Sequence, residues 1–114
     1  MDGDMGHVRR PPVLAGIKKA YAVYVIGESM EPKYRAGDLI FVNPARPPRP
    51  GDAVVIQIRD GEHADIVAYV KVLERFDDRR VVCRQYNPDS TVEYPRHVVV
   101  AVHRVLDNND LFGI

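Results

Sequence analysis

The sequence predicts a single, mainly β domain that forms a partly closed barrel. Its 114 residues are enough for one domain with one modest hydrophobic core. From residue 21 onward, short runs rich in β-branched and aromatic residues follow one another at close spacing. Gly, Pro and Asn separate these runs, and short strands punctuated in this way are typical of small all-β domains.

Seven strands are predicted in order along the chain. They cover residues 21–26, 39–42, 53–58, 64–73, 81–86, 91–94 and 98–105. The sixth segment is the weakest and ends at Pro95, which lacks the N–H that a central strand must donate. We therefore expect the sixth segment at an edge of the sheet.

The connections between these strands carry turn-forming residues. Gly27 ends the first strand, and the Gly-Asp pairs at 37–38 and 51–52 lead into the second and third. Residues 43–50 contain four prolines, which excludes them from a sheet interior. We interpret this segment as a rigid exposed connection, and a proline-rich ligand is the weaker alternative.

The chain start and the composition limit where the protein works. Residues 1–12 are expected to be a flexible leader and residues 13–114 the folded domain. The leader lacks the apolar core of a signal peptide, and the longest apolar stretch is seven residues, short of the ~20 that span a bilayer. The single cysteine, Cys83, lies in an apolar run and is predicted to be a buried small hydrophobe. These features favour the reducing cytoplasm.

Charge and histidine spacing argue against several classes of function. Lys plus Arg and Asp plus Glu number 16 each, so no basic excess is available to bind a phosphate backbone. We expect that this chain does not hold DNA by itself, although a partner segment could. The four histidines, His7, His63, His97 and His103, lack the spacing of metal ligands. No Gly-rich phosphate loop is present, so we predict no metal and no cofactor.

The first strand leads into a turn that contains Ser29. Gly27 breaks the strand, and Ser29 precedes a short predicted helical turn that starts with residues 30–32. A serine on such a turn projects its hydroxyl beside free backbone N–H groups, as a nucleophile requires. An ordinary helix N-cap has the same local appearance, and the residues alone favour the cap.

Lys71 is flanked by apolar residues on a predicted strand. Alternation places Tyr69, Lys71 and Leu73 on one face, and Val70 and Val72 on the other. Full burial would lower the pKa of this amine far enough for it to act as a base near neutral pH. The alternative is an edge-strand lysine that points into solvent, and without further information that interpretation is favoured.

Four ordered blocks of sequence resemble the LexA-like Ser-Lys peptidase family, which includes the C-terminal domains of phage-type and XRE-type repressors and the UmuD-like proteins. The blocks are residues 27–32 (Gly-Glu-Ser-Met-Glu-Pro), 37–40 (Gly-Asp-Leu-Ile), 50–55 (Pro-Gly-Asp-Ala-Val-Val) and 69–73 (Tyr-Val-Lys-Val-Leu). The similarity extends from about residue 20 to residue 106. It implies a LexA- or signal-peptidase-like β domain, without a membrane anchor in this chain.

The resemblance assigns roles to individual residues. It implies that Ser29 is the nucleophile and that Lys71, 42 positions later, is the general base. It also implies that the backbone N–H groups of Glu28 and Ser29 stabilise the oxyanion. The side chains of Glu28 and Glu31 are interpreted as solvent-facing turn residues.

The resemblance further implies a regulatory setting. Family members form homodimers, here expected to use residues 98–105, because this segment is apolar on both faces. They bind DNA through an upstream helix-turn-helix domain, which this sequence does not contain, and cut their own linker when a RecA–DNA filament is present. The alternatives are a dimerisation and sensing module that does not cleave, and a UmuD-like accessory protein of translesion synthesis.

The candidate scissile bond is Ala15–Gly16, and here the sequence departs from the family pattern. Only thirteen positions separate Gly16 from Ser29, far fewer than in the family. If residues 21–26 form a strand, Tyr21 lies roughly 25 Å from Ser29 at about 3.3 Å per residue. The six steps from Tyr21 back to Ala15 span at most about 20 Å. We therefore predict that Ala15–Gly16 is not cut by Ser29 of the same chain.

Overall fold

The computed structural model describes residues 19–107 and residue 110, and most of these residues form β-structure. The strands are β1 (Tyr21–Tyr24), β2 (Leu39–Asn43), β3 (Ala53–Ile58), β4 (Val67–Phe76), β5 (Arg80–Tyr86), β6 (Asp89–Pro95) and β7 (Val99–Val105). A 3₁₀ helix, Arg96–Val98, joins β6 to β7. The predicted mainly β fold is confirmed. The predicted leader and the bond Ala15–Gly16 lie outside the described residues.

All seven strands belong to one antiparallel sheet, in the order β1-β2-β7-β3-β4-β5-β6. Within the described residues β1 and β6 are the edge strands and do not pair with each other, so hydrogen bonding does not close the sheet into a barrel. The sheet curls instead, because Val23 of β1 shares a buried cluster with Val55 of β3, and Val70 of β4 packs against the same cluster. The predicted edge position of the sixth strand is observed.

Curling buries both faces of the central strand β3. Val55 faces the cluster that it shares with β1, while Val54 and Ile56 face a second cluster formed with Leu73 and Cys83. These β3 side chains are almost completely buried, and Cys83 is buried as predicted. Burial on both sides therefore explains why β3 has apolar residues at successive positions. This double core holds β4 rigidly behind the site described below.

The strand limits differ from the prediction at two places near the site. β1 ends at Tyr24. The N–H of the next residue, Val25, donates to the carbonyl oxygen of Asp38, and the carbonyl oxygen of Val25 accepts from the N–H of Gly37. The chain then turns away from the sheet. β4 begins at Val67 rather than at residue 64, because a turn at Gly61 first occupies the N–H of Ala64. Gly61 has a φ of 114°, which few other residues adopt.

The turn after β1 differs from the prediction in one respect. The N–H of Glu31 donates to the carbonyl of Glu28, and the N–H of Tyr34 donates to the carbonyl of Met30, so the predicted helical turn exists only as two hydrogen-bonded turns. Ser29 does not cap it through its side chain, because its hydroxyl oxygen bonds to Lys71 instead. No helix among the described residues is long and apolar enough to cross a membrane.

Candidate active site

Ser29 lies in the turn between β1 and β2 and is anchored to the far end of β5. Its carbonyl oxygen accepts hydrogen bonds from the N–H groups of Tyr86 and Asn87, each at 2.9 Å. The next residue, Met30, is 2 % exposed and inserts into the interior. Gly27 begins the turn with a φ of 82°, a conformation that L side chains rarely adopt. Backbone anchoring and burial thus fix the serine hydroxyl against the curled sheet.

Lys71 lies on β4 and points from the sheet toward Ser29. Its side chain is buried, with only 5 % of the residue exposed, and its Nζ lies 3.1 Å from the Oγ of Ser29. The expected proximity of these two side chains is therefore confirmed, and the alternative of a solvent-facing lysine is wrong. The catalytic roles of the two residues stay predictions at this point.

Burial lowers the pKa of Lys71 below its ordinary value. The thiol of Cys83 lies close enough to oppose this effect, but burial raises its own pKa to about 11, so it carries no negative charge near neutral pH. Among the described residues no carboxylate forms an ion pair with Lys71. A neutral amine next to a serine hydroxyl is the arrangement that proton abstraction requires.

Two further side chains contact the Lys71 amine. The amide oxygen of Gln85, on β5, lies 3.2 Å from Nζ. The ring of Tyr69, two positions earlier on β4, has its centroid 5.8 Å from Nζ, and this ring stacks on Tyr94 with centroids 5.9 Å apart. The amine is thus enclosed by a hydroxyl, an amide oxygen and an aromatic face.

Backbone N–H groups are available at the turn for a developing negative charge. Within residues 19–107 and 110, the N–H groups of Glu28 and Ser29 donate to no protein acceptor. They belong to the serine itself and to the residue before it, and an oxyanion site requires free N–H groups close to the nucleophile. Their role in the chemistry stays a prediction that rests on the resemblance.

A cleft of about 300 Å³ opens beside the serine and the lysine. Residues 23–26 form one wall and residues 67–70 form the other, while Ser29, Met30 and Lys71 also line it. Both walls are extended backbone and carry exposed apolar side chains, among them Tyr24, Ile26 and Tyr69. The cleft therefore combines a reactive pair with a surface suited to an extended peptide.

The remaining candidate residues lie away from the reactive pair. Glu28 is exposed and Glu31 half-buried, and neither carboxylate contacts Ser29 or Lys71. His103 forms a 2.7 Å hydrogen bond with the hydroxyl of Tyr21, and His63 is exposed. No group of three or more potential metal ligands occurs in the described part of the chain. His7 lies outside it.

Gln85 and the Tyr69 ring were not predicted from the sequence as parts of the site. A signal for Gln85 was present, since alternation along β5 places Val81, Cys83 and Gln85 on one face, and a polar residue there follows two buried ones. Tyr69 was correctly placed on the lysine face of β4. Its stacking on Tyr94 depends on the pairing of distant strands.

A curled antiparallel sheet with a half-buried serine next to a buried lysine at a cleft is the arrangement expected of Ser-Lys peptidase-like domains. The chain belongs to the Peptidase S24-like family, whose profile matches residues 6–103. It is also 40% identical over 105 residues to Repressor protein C of Rhizobium phage 16-3. That alignment covers 90% of this chain but 40% of the repressor, so the chain spans well under half of that relative. No solved structure matches the chain.

Proposed function

We propose that this chain is the self-cleaving and dimerisation domain of a phage-type repressor that acts in stress- or SOS-responsive gene regulation. The observation that carries the proposal is the 3.1 Å contact between Ser29 Oγ and the buried Lys71 amine at the mouth of an apolar cleft. Family membership and the similarity to a phage repressor support the regulatory part.

In the proposed reaction the neutral Lys71 amine removes the proton of the Ser29 hydroxyl as the Oγ attacks the scissile carbonyl carbon. The carbonyl oxygen becomes an oxyanion and accepts hydrogen bonds from the N–H groups of Glu28 and Ser29. The Lys71 ammonium then gives its proton to the leaving amine, the C–N bond breaks, and an acyl-serine remains. Water, deprotonated by the same amine, releases the acid and restores the serine.

The walls of the cleft favour a peptide as the substrate. β1 pairs only with β2 among the described residues, and β5 pairs with β4 only from Val72 onward. The backbone of β1 and of residues 67–70 therefore has unpaired N–H and C=O groups facing the cleft, and an extended segment can add to either edge. Exposed Tyr24, Ile26 and Tyr69 would contact its side chains. The proposed substrate is a linker segment of the repressor, with Ala15–Gly16 the candidate bond.

The proposed homodimer uses β7. In the described structure β7 pairs with β3 along its length but with β2 only at residues 104 and 105, so one edge is open over residues 99–103. Val99 and Val102 pack against the domain's own core, so only part of this apolar strand is available to a partner. Val100 and the neighbouring Phe76 are 48 % and 47 % exposed. An open edge beside an apolar groove of about 280 Å³ suits antiparallel pairing of two β7 strands about a twofold axis.

The remaining partners follow from the resemblance. We propose a RecA–DNA filament as the inducer, DNA contact through a separate helix-turn-helix domain, and a cytoplasmic location. The purified chain is incubated with and without an activated RecA–DNA filament, and its mass is then measured. Cleavage that occurs only with the filament would support this inducer.

The rate of cleavage is expected to rise with pH. Only the deprotonated amine of Lys71 acts as a base, so below its pKa each pH unit should raise the rate about tenfold, with a plateau above it. The test follows the mass of the purified chain, and of a peptide spanning residues 9–21, across neutral to alkaline pH. Burial predicts that the plateau is reached below the ordinary lysine pKa.

The dependence of the cleavage rate on protein concentration distinguishes cleavage by the same chain from cleavage by another chain. Below the dissociation constant of the proposed dimer, we expect a fragment that begins at Gly16 to form faster at higher protein concentration, because the predicted reach leaves Ala15–Gly16 to Ser29 of another chain. A rate independent of concentration in that range would show that Ser29 of the same chain reaches this bond. Absence of cleavage in both the chain and the added peptide would favour the module that dimerises without cutting.

A further inference from the structure

Gln85 is a side chain of the site that does not belong to the serine–lysine pair. We propose that Gln85 is a positioning residue: its amide oxygen holds one N–H of the Lys71 amine, so that the amine lone pair faces the Ser29 hydroxyl. The proposal rests on the peptidase function proposed above. It adds a residue that orients the base without touching the substrate.

The sheet places Gln85 directly beside Lys71. The β4–β5 pairing ends with Val72 opposite Arg84, and Lys71 and Gln85 are the next residues of the two strands beyond that end. The amide oxygen lies 3.2 Å from Nζ, and the amide N–H group donates to the carbonyl oxygen of Pro88, also at 3.2 Å. Exchanging the amide O and N would set donor against donor at Lys71 and acceptor against acceptor at Pro88. Only one orientation of the amide satisfies both neighbours.

The hydrogen bond to Gln85 restricts the orientation of the Lys71 amine. A neutral lysine amine has two N–H donors and one lone pair, and it rotates freely about the Cε–Nζ bond. Donation of one N–H to Gln85 removes most of that freedom and leaves two positions for the second N–H and the lone pair, one of which faces the Ser29 Oγ, 3.1 Å away. In the proposed reaction the lone pair takes that position. After proton transfer the ammonium keeps the same bond to Gln85, so the base does not reorient during the reaction.

The neutral amide suits this position because, among the described residues, no charged side chain forms an ion pair with the amine. The titratable groups that face Lys71 are Cys83 on β5 and Tyr69 on β4, with Tyr94 of β6 stacked on Tyr69. Glu74 acts on Cys83 rather than on Lys71. Burial raises the pKa values of Cys83 and Tyr94, so both are neutral at the pH of the reaction. A carboxylate in place of Gln85 would add the only close negative charge and stabilise the ammonium.

Three variants test the proposal: Gln85→Glu, Gln85→Met and, as a control, Ser90→Ala. Ser90 pairs with Gln85 across the hairpin, and its hydroxyl donates to the same Pro88 carbonyl, at 3.4 Å, without contacting Lys71. The rate of cleavage of the 9–21 peptide is measured as a function of pH. Independently, the pKa of Lys71 is measured by NMR in chain with ¹³C-labelled lysine, where only four lysines give signals.

The proposal predicts a different result for each variant. Gln85→Glu should raise the pKa of Lys71 by about 1 or more and lower the rate at neutral pH roughly tenfold, with recovery at higher pH. Gln85→Met should move the Lys71 pKa downward and reduce the plateau rate by about 10-fold or more, as the loss of an orienting partner does elsewhere. Ser90→Ala should change neither quantity.

Equal rate losses in both Gln85 variants at every pH, with an unchanged Lys71 pKa, would show a structural role only and overturn the proposal. An unchanged plateau rate in Gln85→Met would overturn it as well. The NMR titration measures the Lys71 pKa without requiring cleavage, so it distinguishes failure of the Gln85 proposal from failure of the proposed peptidase function. If no variant and no parent chain cleaves the peptide, the peptidase proposal fails, and an unshifted Lys71 pKa in Gln85→Glu would in addition reject the contact.

Discussion

Ser29→Ala is expected to abolish cleavage of the chain and of the 9–21 peptide, and Lys71→Ala to do the same. In the proposed reaction Ser29 supplies the attacking oxygen and Lys71 the proton acceptor, and among the described residues no second hydroxyl or amine forms a hydrogen bond with either side chain. Losses of nucleophile or base in hydrolases act as a unit and amount to about 10³-fold or more. Mass spectrometry over several days at alkaline pH measures a loss of this size.

The matched control must show that the variants remain folded. Lys71→Met serves better than Lys71→Ala, since Met fills the space of the lysine stem without its charge. Burial holds the folded-state pKa of Lys71 below the unfolded value, so the unfolded chain binds more protons there. Stability therefore rises with pH between the two pKa values, and below both the penalty for the buried ammonium is complete. Lys71→Met should raise the Tm at neutral pH while removing activity.

Val100→Glu is expected to convert the proposed dimer into a monomer at tens of micromolar. Val100 is 48 % exposed at the open edge of β7, next to Phe76 and the groove between them. Pairing of two β7 strands would bury two carboxylates close to each other across the twofold axis. An unpaired buried charge costs several kcal/mol, so the dissociation constant should rise about 100-fold or more.

Sedimentation velocity measures this effect, and Val67→Glu provides the control. Val67 is a valine of similar exposure, 45 %, but it lies at the cleft on β4 and is separated from β7 by strand β3. A wild-type chain that sediments as a monomer at tens of micromolar would reject the dimer. Equal dissociation in the two variants would show that β7 is not the interface.

Local sequence patterns predicted most of the strands, whereas the pairing of Ser29 with Lys71 was predicted from the family resemblance. β3 has the predicted limits, residues 53–58, because six consecutive strand-forming residues lie between two turn signals. Ser29 and Lys71 could each be identified from the strand or turn around them together with the family resemblance. Their separation in space could not be measured from the sequence, yet the 3.1 Å contact agrees with the expectation.

Features that depend on strand pairing were not predictable in the same way. Gln85 becomes part of the site only through the β4–β5 register. A shift of one residue in that register would move its side chain to the other face of the sheet. The anchoring of Ser29 by Tyr86 and Asn87 uses backbone N–H groups, which leave no side-chain signal. The apolar character of β7 was taken as a sign of an interface, and the sequence did not show that Val99 and Val102 also fill the domain's own core.

Labelling with diisopropyl fluorophosphate tests the central claim, that Lys71 activates Ser29, without requiring a known scissile bond. The reagent forms a bond from phosphorus to an activated serine oxygen and releases fluoride. We predict a single adduct on Ser29, formed faster as the pH rises and at least about 100-fold slower in Lys71→Met. The absence of an adduct on Ser29, or an equal labelling rate in Lys71→Met, would contradict the account.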